Sequence, residues 1–348
     1  MKPSPATRPG LAFVVAGRLS MLTGGQLFNR HIIEGLRRSG RPVRVVETAD
    51  PDAVRQVEAL PAGTATVIDE EALPGLAESI PALAGHLRLI AFVHHPISEE
   101  YGSPAAELRR LAAIERRLLP RFRGVLCPSR RTAAGVAALG VSADRIAVTP
   151  PGTEKPATLP PPRSGPVRRL LYVANLIPRK GHAVLIEALA PLRDLPWQLD
   201  CIGALDRDPA TADRVRRRVD EHGLGERIRL SGAKPPVEVA LAYAAADAFV
   251  SSSLHEGYGM AWAEAMAWGL PQVTTTAGAV AEVVPPEAGI LVPPGNIEAL
   301  STALHRLLTD RRLAASLAMG ARAAAQRLPD WPEAVREWAT AFDRLAGT

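Results

Sequence analysis

Two glutamates stand eight residues apart in the segment HEGYGMAWAEAMAWGLP. Glu256 lies in a glycine-rich turn, and Glu264 lies about one turn inside the helix that the pattern predicts from about 260 to 268. Gly257 and Gly259 allow the backbone to approach a ligand closely, and the free N–H groups of a helix N-terminus attract phosphate. Each carboxylate can accept hydrogen bonds from a pair of adjacent hydroxyls on a sugar ring. The spacing therefore indicates a binding site for a phosphate-bearing sugar.

The competing interpretation makes one carboxylate a helix cap and leaves the other in solvent. It is weakened by the apolar residues around Glu264 in GMAWAEAMAWG, which predict that this side chain is nearly buried. A buried charge without a partner is costly. We therefore favour a ligand site over a solvated helix face.

A cluster of cations occurs in the segment YVANLIPRKGH, where Arg179 and Lys180 precede Gly181. The segment follows the first strand predicted for the second half of the chain. Ligands of open α/β sheets bind outside the carboxyl ends of the strands, so the two cations are expected to lie at a ligand site. The alternative is a solvated basic turn.

Two more segments follow predicted strands in the first half of the chain. Gly24 and Gly25, in MLTGGQLFNRH, separate the first strand from a helix, which by itself is a weak signal. His94 and His95 end the strand of FVHHPISEEYG, and an imidazole at this place can hydrogen-bond to a sugar or shuttle a proton. We interpret His95 as structural.

Short apolar runs alternate with amphipathic stretches through most of the chain. This alternation predicts an α/β fold with two Rossmann-like parallel-sheet domains, whose facing strand ends would form a cleft. The predicted strands span 11–17, 43–47, 65–69, 87–95, 124–129 and 146–152 in the first half, and 169–176, 197–205, 228–232, 247–253, 271–276 and 289–295 in the second. Neither half has a G-x-G-x-x-G after its first strand, and no Gly-Lys pair supports a P-loop.

A proline-rich segment at 156–166 is stiff and interrupts the alternation, so we interpret it as a linker. The predicted domains are 1–160 and 161–330, followed by a C-terminal helix at 331–348 that packs back on the first domain. A chain of 348 residues is long enough for two such cores.

Composition restricts the class of protein. A formal net charge of +5 is mild; it favours phosphate-bearing ligands and does not indicate nucleic acid. Cys127 and Cys201 lie in apolar segments and are expected to be reduced core residues of a cytoplasmic protein. The first ten residues contain no apolar signal region, and no run of 18 apolar residues occurs, so we expect nothing that spans a membrane.

The segment with the two glutamates, followed by GAVAEVVPPEAGILVPPGNIEALSTAL, resembles the E-x7-E region of the retaining glycosyltransferases of family 4, or group 1, which share the GT-B fold. The resemblance implies that Glu256 contacts the transferred sugar and that Glu264 holds the ribose of a nucleotide. Gly278 and Glu282 match the downstream glycine and glutamate of the family pattern. The backbone amides expected to face the sugar and the diphosphate are those of Gly257, Tyr258, Gly259 and Met260.

The cation segment resembles the family's G-R-L-x-P-x-K-G, in which arginine and lysine bind the donor diphosphate. Lys180 matches the lysine, but Asn175 stands at the arginine position and supplies a hydrogen bond without charge. Neutralisation of phosphate would therefore depend on Lys180 and on Arg179. Gly24 and Gly25 resemble the N-terminal loop that approaches the diphosphate and the acceptor.

The implied activity is transfer of a sugar, with retention, from a nucleotide-diphosphate sugar to a hydroxyl of a glycan, a lipid-linked molecule or a small molecule. The donor would bind to the second domain and the acceptor to the first, with no metal or other cofactor. We assign Lys180, Glu256 and His94 to catalysis. The alternatives are a GT-B-fold nucleotide-sugar epimerase, a phosphorylase, or a non-catalytic protein that binds sugar or nucleotide. The nucleotide, sugar, acceptor, linkage and oligomeric state are left open.

Two other patterns have competing interpretations. Asp206 and Asp208 form a D-x-D, which binds a metal ion in another glycosyltransferase fold, but they lie far along the chain from the two glutamates. We do not assign them a metal. The predicted helix at 107–123 has six arginines against two glutamates, which is typical of a solvated face or of contact with an anionic surface such as the inner face of a membrane.

Overall fold

A computed structural model of the chain describes residues 10–159 and 165–348. The chain divides into two compact units: unit 1 comprises Met1–Gly152 and Pro329–Thr348, and unit 2 comprises Thr153–Leu328. The middle of the proline-rich segment, residues 160–164, lies outside the described residues.

Both units are built on six-stranded parallel sheets, so the prediction of two Rossmann-like domains is confirmed. The strands of unit 1 are β1 Leu11–Val15, β2 Val43–Glu47, β3 Ala65–Asp69, β4 Arg88–Phe92, β5 Gly124–Cys127 and β6 Ile146–Val148. The strands of unit 2 are β7 Arg169–Val173, β8 Gln198–Ile202, β9 Ile228–Gly232, β10 Ala248–Val250, β11 Gln272–Thr275 and β12 Gly289–Val292.

Helices connect the parallel strands, as crossover connections require. In unit 1 they are α1 Gly24–Arg38, α2 Ala53–Glu58, α3 Ile80–His86, α4 Ala105–Leu118 and α5 Arg130–Ala138, and α13 Trp331–Ala346 returns to this unit. In unit 2 they are α6 His182–Leu189, α7 Pro209–Glu221, α8 Pro236–Ala245, α9 Met260–Ala267, α10 Val280–Val283, α11 Ile297–Thr309 and α12 Arg311–Ala325. No helix within residues 10–159 or 165–348 is both long and apolar enough to cross a lipid bilayer.

The order of the strands places one topological switch point in each sheet. In unit 1 the order is β2-β1-β3-β4-β5-β6, so the direction of winding reverses between β1 and β3. In unit 2 the order is β12-β11-β10-β7-β8-β9, and the reversal falls between β7 and β10. Ligands of doubly wound sheets bind at the carboxyl ends of the strands beside such a reversal.

Several strands are shorter than their apolar runs. β4 ends at Phe92, so the two histidines of FVHH lie in the loop that follows it. β10 ends at Val250, and three buried serines follow it. Ser251 still donates its N–H to the Val273 carbonyl of β11 at 2.9 Å, whereas Ser252 donates its hydroxyl to the Gly181 carbonyl at 2.8 Å. The last residues of these runs therefore lie in loops at the carboxyl ends of the strands.

The C-terminal helix α13 packs against α1, β4 and β5 of unit 1. Trp338 stacks on Phe13 of β1 with ring centroids 6.1 Å apart, and Phe342 stacks on Trp338 at 5.3 Å. Arg41, which is 1% exposed, donates to Asp343 at 2.7 Å. Burial of each aromatic ring contributes on the order of 2–3 kcal/mol, so removing this helix would expose the core of unit 1.

Both cysteines are buried free thiols, as predicted. Cys127 ends β5, and Cys201 lies in β8. Burial raises the pKa of each thiol, which keeps it protonated and unreactive.

Candidate functional site

A buried carboxylate and two cations converge at the switch point of unit 2. Lys180 follows β7, Glu256 follows β10, and these two strands are neighbours in the sheet. Lys180 Nζ donates to Glu256 Oε1 at 2.6 Å, and Arg179 Nη1 donates to Oε2 at 3.4 Å. Glu256 is only 4% exposed. The fold thus brings together three residues that the sequence separates by 76 positions.

Glycines hold this cluster together by permitting backbone contact. Gly278 has a φ of +57°, and a Cβ atom there would lie 2.1 Å from the Glu256 carbonyl oxygen. The backbone N–H of Ala279, the residue after Gly278, donates to the Glu256 carbonyl oxygen at 2.9 Å. Gly181 has a φ of +63°, and its Cβ would lie 2.3 Å from the Ser252 carbonyl oxygen. Only glycine fits both positions.

The charge state of Glu256 follows from its partners. Burial by itself would raise the pKa of this carboxyl, but Lys180 and then Arg179 lower it by more, so the pKa lies below its usual range. Glu256 is therefore a carboxylate at neutral pH. Lys180 also lies over the Trp262 ring, with Nζ 5.9 Å from the ring centroid.

Glu264 lies in α9, in a different environment from Glu256. Burial raises the pKa of Glu264 to about 7, a hydrogen bond from Tyr243 acts in the opposite direction, and the charge of Glu154 raises it further. Tyr243 is 1% exposed, and the Ala261 carbonyl, 3.1 Å from its hydroxyl, competes with Glu264 for the single phenol proton. Glu264 therefore changes charge near neutral pH.

The turn before α9 was predicted to face the sugar and the diphosphate. Gly259 is the N-cap of the helix with a φ of +104°, and as a glycine it has no side chain that could accept from the first helix amides. Gly257 is buried, whereas Tyr258 and Met260 are partly exposed. Burial raises the pKa of Tyr258 to about 12, and the nearby charge of Glu282 adds to the effect.

Asn175 connects two loops at the ends of neighbouring strands. Its Oδ1 atom accepts the backbone N–H of Ala204, which follows β8, at 2.9 Å. Gly203 packs so closely here that a Cβ atom would lie 2.0 Å from the Ala174 carbonyl oxygen. The residue at the arginine position of the family pattern thus ties the loop after β7 to the loop after β8.

The switch point of unit 1 holds the other predicted residues. α1 begins at Gly24, and the Thr23 hydroxyl accepts the N–H of Gln26 at 3.1 Å. A Cβ atom on Gly25 would lie 3.2 Å from Cδ2 of His94, so glycine lets the imidazole approach the helix. Burial lowers the pKa of His94 to about 4, so the ring is neutral at physiological pH.

The family follows from two matches along the chain. The model of glycosyl transferases group 1 matches residues 161–324, and the model of glycosyltransferase family 4 matches residues 68–155. The chain belongs to the group 1 glycosyl transferases. The first match contains the cluster of Lys180, Arg179 and Glu256, and the second contains His94.

Curated relatives of this glycosyl transferase include enzymes that act on different substrates. The MMP alpha-(1->4)-mannosyltransferase of Mycolicibacterium hassiacum is 28% identical over 273 residues, which is 74% of this chain and 65% of that protein. The D-inositol 3-phosphate glycosyltransferase of Corynebacterium glutamicum is 36% identical over 144 residues, 40% of this chain and 34% of that protein. The chain thus matches between about a third and two thirds of these relatives' lengths.

Solved structures agree with the two-domain fold. The sucrose-phosphate synthase of Thermosynechococcus elongatus superposes with a TM-score of 0.81 at 21% identity, covering 98% of this chain and all of that one. HepE of Anabaena, solved with UDP and glucose, has a TM-score of 0.75 at 20% identity, covering 95% of this chain and 98% of that one. At these identities the likeness establishes the fold alone.

Several residues of the unit 1 site were missed from the sequence. Asp69 ends β3, Glu70 follows it, and each is 1% exposed. A nitrogen of His94 and one oxygen of each carboxyl all lie within 4.8 Å of one another. Gln26 and Asn29, one turn apart on α1, face the same place. The available signal is the pair of acidic residues, Asp69 and Glu70, at the end of the apolar run that predicts the strand 65–69.

The remaining sequence candidates have structural roles. His95 is 8% exposed and pairs with Glu100 at 2.8 Å, which agrees with its structural interpretation. Asp208 caps α7 by accepting the N–H of Thr211 at 2.9 Å, and Asp206 is exposed. The D-x-D pattern is thus explained by a helix cap.

Proposed function

We propose that this group 1 glycosyl transferase moves a sugar from a nucleotide-diphosphate sugar to a hydroxyl acceptor, with retention and without a metal ion. The observation that carries the proposal is the cluster of Lys180, Arg179 and Glu256 at the switch point of a Rossmann-like sheet, immediately before the N-terminus of α9. Positive charge and helix amides at one place favour a diphosphate.

In this scheme each residue of unit 2 contacts a different part of the donor. Lys180 and Arg179 neutralise the diphosphate, and the first amides of α9 contribute hydrogen bonds. Glu256 accepts hydroxyls of the transferred sugar, and Glu264 accepts the ribose hydroxyls. Asn175 supplies a hydrogen bond and no charge, so phosphate neutralisation depends on the two cations.

The chemical step breaks the bond between the anomeric carbon and the diphosphate oxygen, which keeps the electron pair. The acceptor oxygen forms the new bond on the same face of the sugar, and its proton passes to the departing diphosphate. The largest contribution from the protein is preorganised positive charge where negative charge develops, since Lys180 is already held by Glu256 before any donor arrives.

The test compares Lys180→Ala and Glu264→Ala with the native chain in a transfer assay. Loss of Lys180 should lower kcat by about a hundredfold to a thousandfold, whereas loss of Glu264 should mainly raise the KM for the donor. Lys234→Ala is a matched control because Lys234 forms a surface pair with Glu238 at 3.0 Å. Near-native transfer in both site variants would refute the assignment.

Two further measurements define the substrates. A thermal-shift screen with the uridine, guanosine, adenosine and thymidine diphosphates identifies the base, because a ligand that binds only the folded state raises the Tm. Conversion of the donor in the absence of any acceptor would support an epimerase instead. Tight nucleotide binding without transfer or hydrolysis would support a non-catalytic binding protein.

The arginine-rich α4 supports a second, separate proposal, namely contact of unit 1 with an anionic membrane surface. Arg110 pairs with Glu107 at 2.7 Å and Arg117 with Glu78 at 3.3 Å, while Arg109 and Arg116 are exposed. Cosedimentation with phosphatidylglycerol vesicles should be stronger than with phosphatidylcholine vesicles and should weaken with salt. Equal binding to both vesicles would contradict it.

A further inference from the structure

A chain of buried polar groups links a backbone carbonyl of unit 1 to the imidazole of His94. Gln26 Nε2 donates to the Ala16 carbonyl at 2.8 Å, and Asn29 Nδ2 donates to Gln26 Oε1 at 3.4 Å. Asn29 Nδ2 also donates to Asp69 Oδ2 at 2.6 Å, and His94 Nε2 lies 3.0 Å from Asn29 Oδ1. Gln26, Asn29 and Asp69 are each 2% exposed or less.

The direction of every hydrogen bond in this series of polar groups follows from the Ala16 carbonyl, where the series begins. A backbone carbonyl can only accept, so Gln26 must turn its NH₂ group toward Ala16 and its oxygen toward Asn29. Asn29 then presents its NH₂ group to Gln26 and Asp69 and its oxygen to His94. An amide oxygen only accepts, so Nε2 of His94 must carry the proton.

We propose that Gln26, Asn29 and Asp69 are positioning residues that hold His94 as the neutral Nε2–H tautomer, so that its Nδ1 atom accepts a hydrogen bond from a substrate hydroxyl. Among the described residues, no group bonds to Nδ1. The second half of this inference rests on the proposed function, whereas the tautomer itself does not.

The hydrogen bonds already made by Asp69 and His94 argue against a metal ion at this cluster. Asp69 already accepts Asn29 Nδ2 on one oxygen and the N–H of Glu71, at 3.1 Å, on the other. His94 Nε2 is occupied by Asn29. Burial and the charge of Asp69 raise the pKa of Glu70 well above its usual range, so this carboxyl is neutral, and its Oε2 atom is buried without a hydrogen-bond partner. A metal bound at Nε2 of His94 would have to displace Asn29.

The loop sequence supports the same geometry. Thr23 caps α1, and Gln26 and Asn29 lie three residues apart on one face of that helix, so both amides reach the end of β3. Gly25 admits the imidazole beside them. Gly25 therefore makes room for an oriented histidine, in addition to the close backbone approach expected from the sequence.

The tautomer can be measured directly on the full chain by ¹⁵N NMR with labelled histidine. His94 is assigned by the signal that disappears in His94→Gln. At neutral pH we expect a protonated-type shift for Nε2 and a lone-pair-type shift for Nδ1. A protonated Nδ1, or an imidazolium, would overturn the proposal. So would a shift of this signal on adding Zn²⁺ or Mn²⁺ or on removing metal with a chelator, which would assign the cluster to a cation.

Two variants test the origin of the tautomer. Asn29→Leu removes the acceptor, and Asp69→Asn removes the carboxylate with little change of shape. Asn29→Leu should let the Nε2–H form fall toward the tautomer mixture of a free imidazole, and Asp69→Asn, whose amide oxygen can still accept from Asn29, should lower it by less. Thr66→Val is the matched control: Thr66 is buried in β3 and loses one hydrogen bond, at 3.3 Å to the Thr64 carbonyl, without touching His94. An unchanged tautomer in both variants would overturn the proposal.

Kinetics then separate this inference from the proposed function. In a transfer assay, Asn29→Leu should lower kcat about tenfold to a hundredfold with little change in the KM for the donor. An unchanged kcat would overturn the role of Nδ1. Absence of transfer by the native chain would refute the proposed function, while the NMR result would still decide the tautomer.

Discussion

Each of the two sheets has one switch point near its centre, but the side chains at the two switch points differ in charge. In unit 2, Lys180 and Arg179 surround the charged Glu256. In unit 1, the neutral His94 is held by amides, and the buried carboxyls of Asp69 and Glu70 stand where unit 2 has its ion pair. The shared topology decides where a site forms, and the side chains decide what it can bind.

The electrostatic difference between the two sites is visible in the pKa values of three carboxyls. Glu256 keeps its charge because two cations outweigh the effect of burial on its pKa. Burial raises the pKa of Asp69 and of Glu70, and the charge of Asp69 raises the pKa of Glu70 further. Unit 2 can therefore stabilise an anion, whereas unit 1 offers a neutral imidazole and oriented amides beside the carboxyls of Asp69 and Glu70. A diphosphate fits the first environment, and hydroxyls fit the second.

The largest effect should come from Glu256→Gln, which leaves Lys180 and Arg179 without a charged partner. We expect kcat for transfer to fall by about a hundredfold or more, because the preorganised charge is disturbed. The control is Glu238→Gln, at a half-exposed carboxylate that pairs with Lys234. A change within about threefold in the site variant would show that the ion pair of unit 2 is structural.

The next effect concerns the backbone that holds Glu256. In Gly278→Ala the new Cβ would overlap the Glu256 carbonyl oxygen, and the positive φ adds strain. The free energy of unfolding should fall by about 2–3 kcal/mol, and activity should fall with it. Gly223→Ala has a similar φ of +64° but no atom within 4 Å of the new Cβ, so it should cost about 1 kcal/mol. Equal losses in denaturant unfolding would contradict the close contact.

Donor binding should depend on pH through Glu264 and not through Glu256. The pKa of Glu264 is about 7, and in the proposed donor complex two ribose hydroxyls would require its charged form as acceptor. The Kd of a nucleotide-diphosphate sugar, which has no phosphate titrating in this range, should rise about tenfold per pH unit below 7. Calorimetry checks this, and Glu264→Gln should bind weakly at every pH. Tyr243→Phe removes a hydrogen bond that lowers the pKa of Glu264, so its midpoint should move to higher pH.

The smallest effect is expected for Glu70→Gln in unit 1, because glutamine mimics a neutral carboxylic acid. The change in unfolding free energy should stay below about 1 kcal/mol. Glu70 has its pKa raised in the folded state, so the native protein binds a proton that the unfolded chain releases. Its contribution is present at low pH and is lost as pH rises above the unfolded value. The variant should therefore lose stability less steeply with rising pH, and a steeper loss would mean that Glu70 is charged in the fold.

Much of the fold could be predicted because parallel buried strands are continuous apolar runs. All twelve predicted strands are present, and the errors lie at their ends, as with FVHH, where β4 stops two residues before His94. The apolar pattern does not show at which residue a strand stops hydrogen-bonding to its neighbour. That residue depends on the neighbouring strand and on the loop that follows.

Some residues of the candidate sites could be predicted from the sequence, and others could not. Glu256 and Lys180 could be predicted because each lies beside a glycine just after a predicted strand, in a segment that resembles a family motif. Asp69 and Asn29 were not, since one reads as the end of a strand and the other as a helix residue.

The sequence by itself determined the two sheets, the glycine positions and the cations near a predicted helix start. Only the tertiary structure decided which polar groups share a bond and which carboxyls carry charge. The physical reason is that pKa and hydrogen-bond direction depend on atoms a few ångströms away in space. In unit 1 one backbone carbonyl orients a buried chain of side chains that reaches His94, and residue order along the chain does not contain that relation.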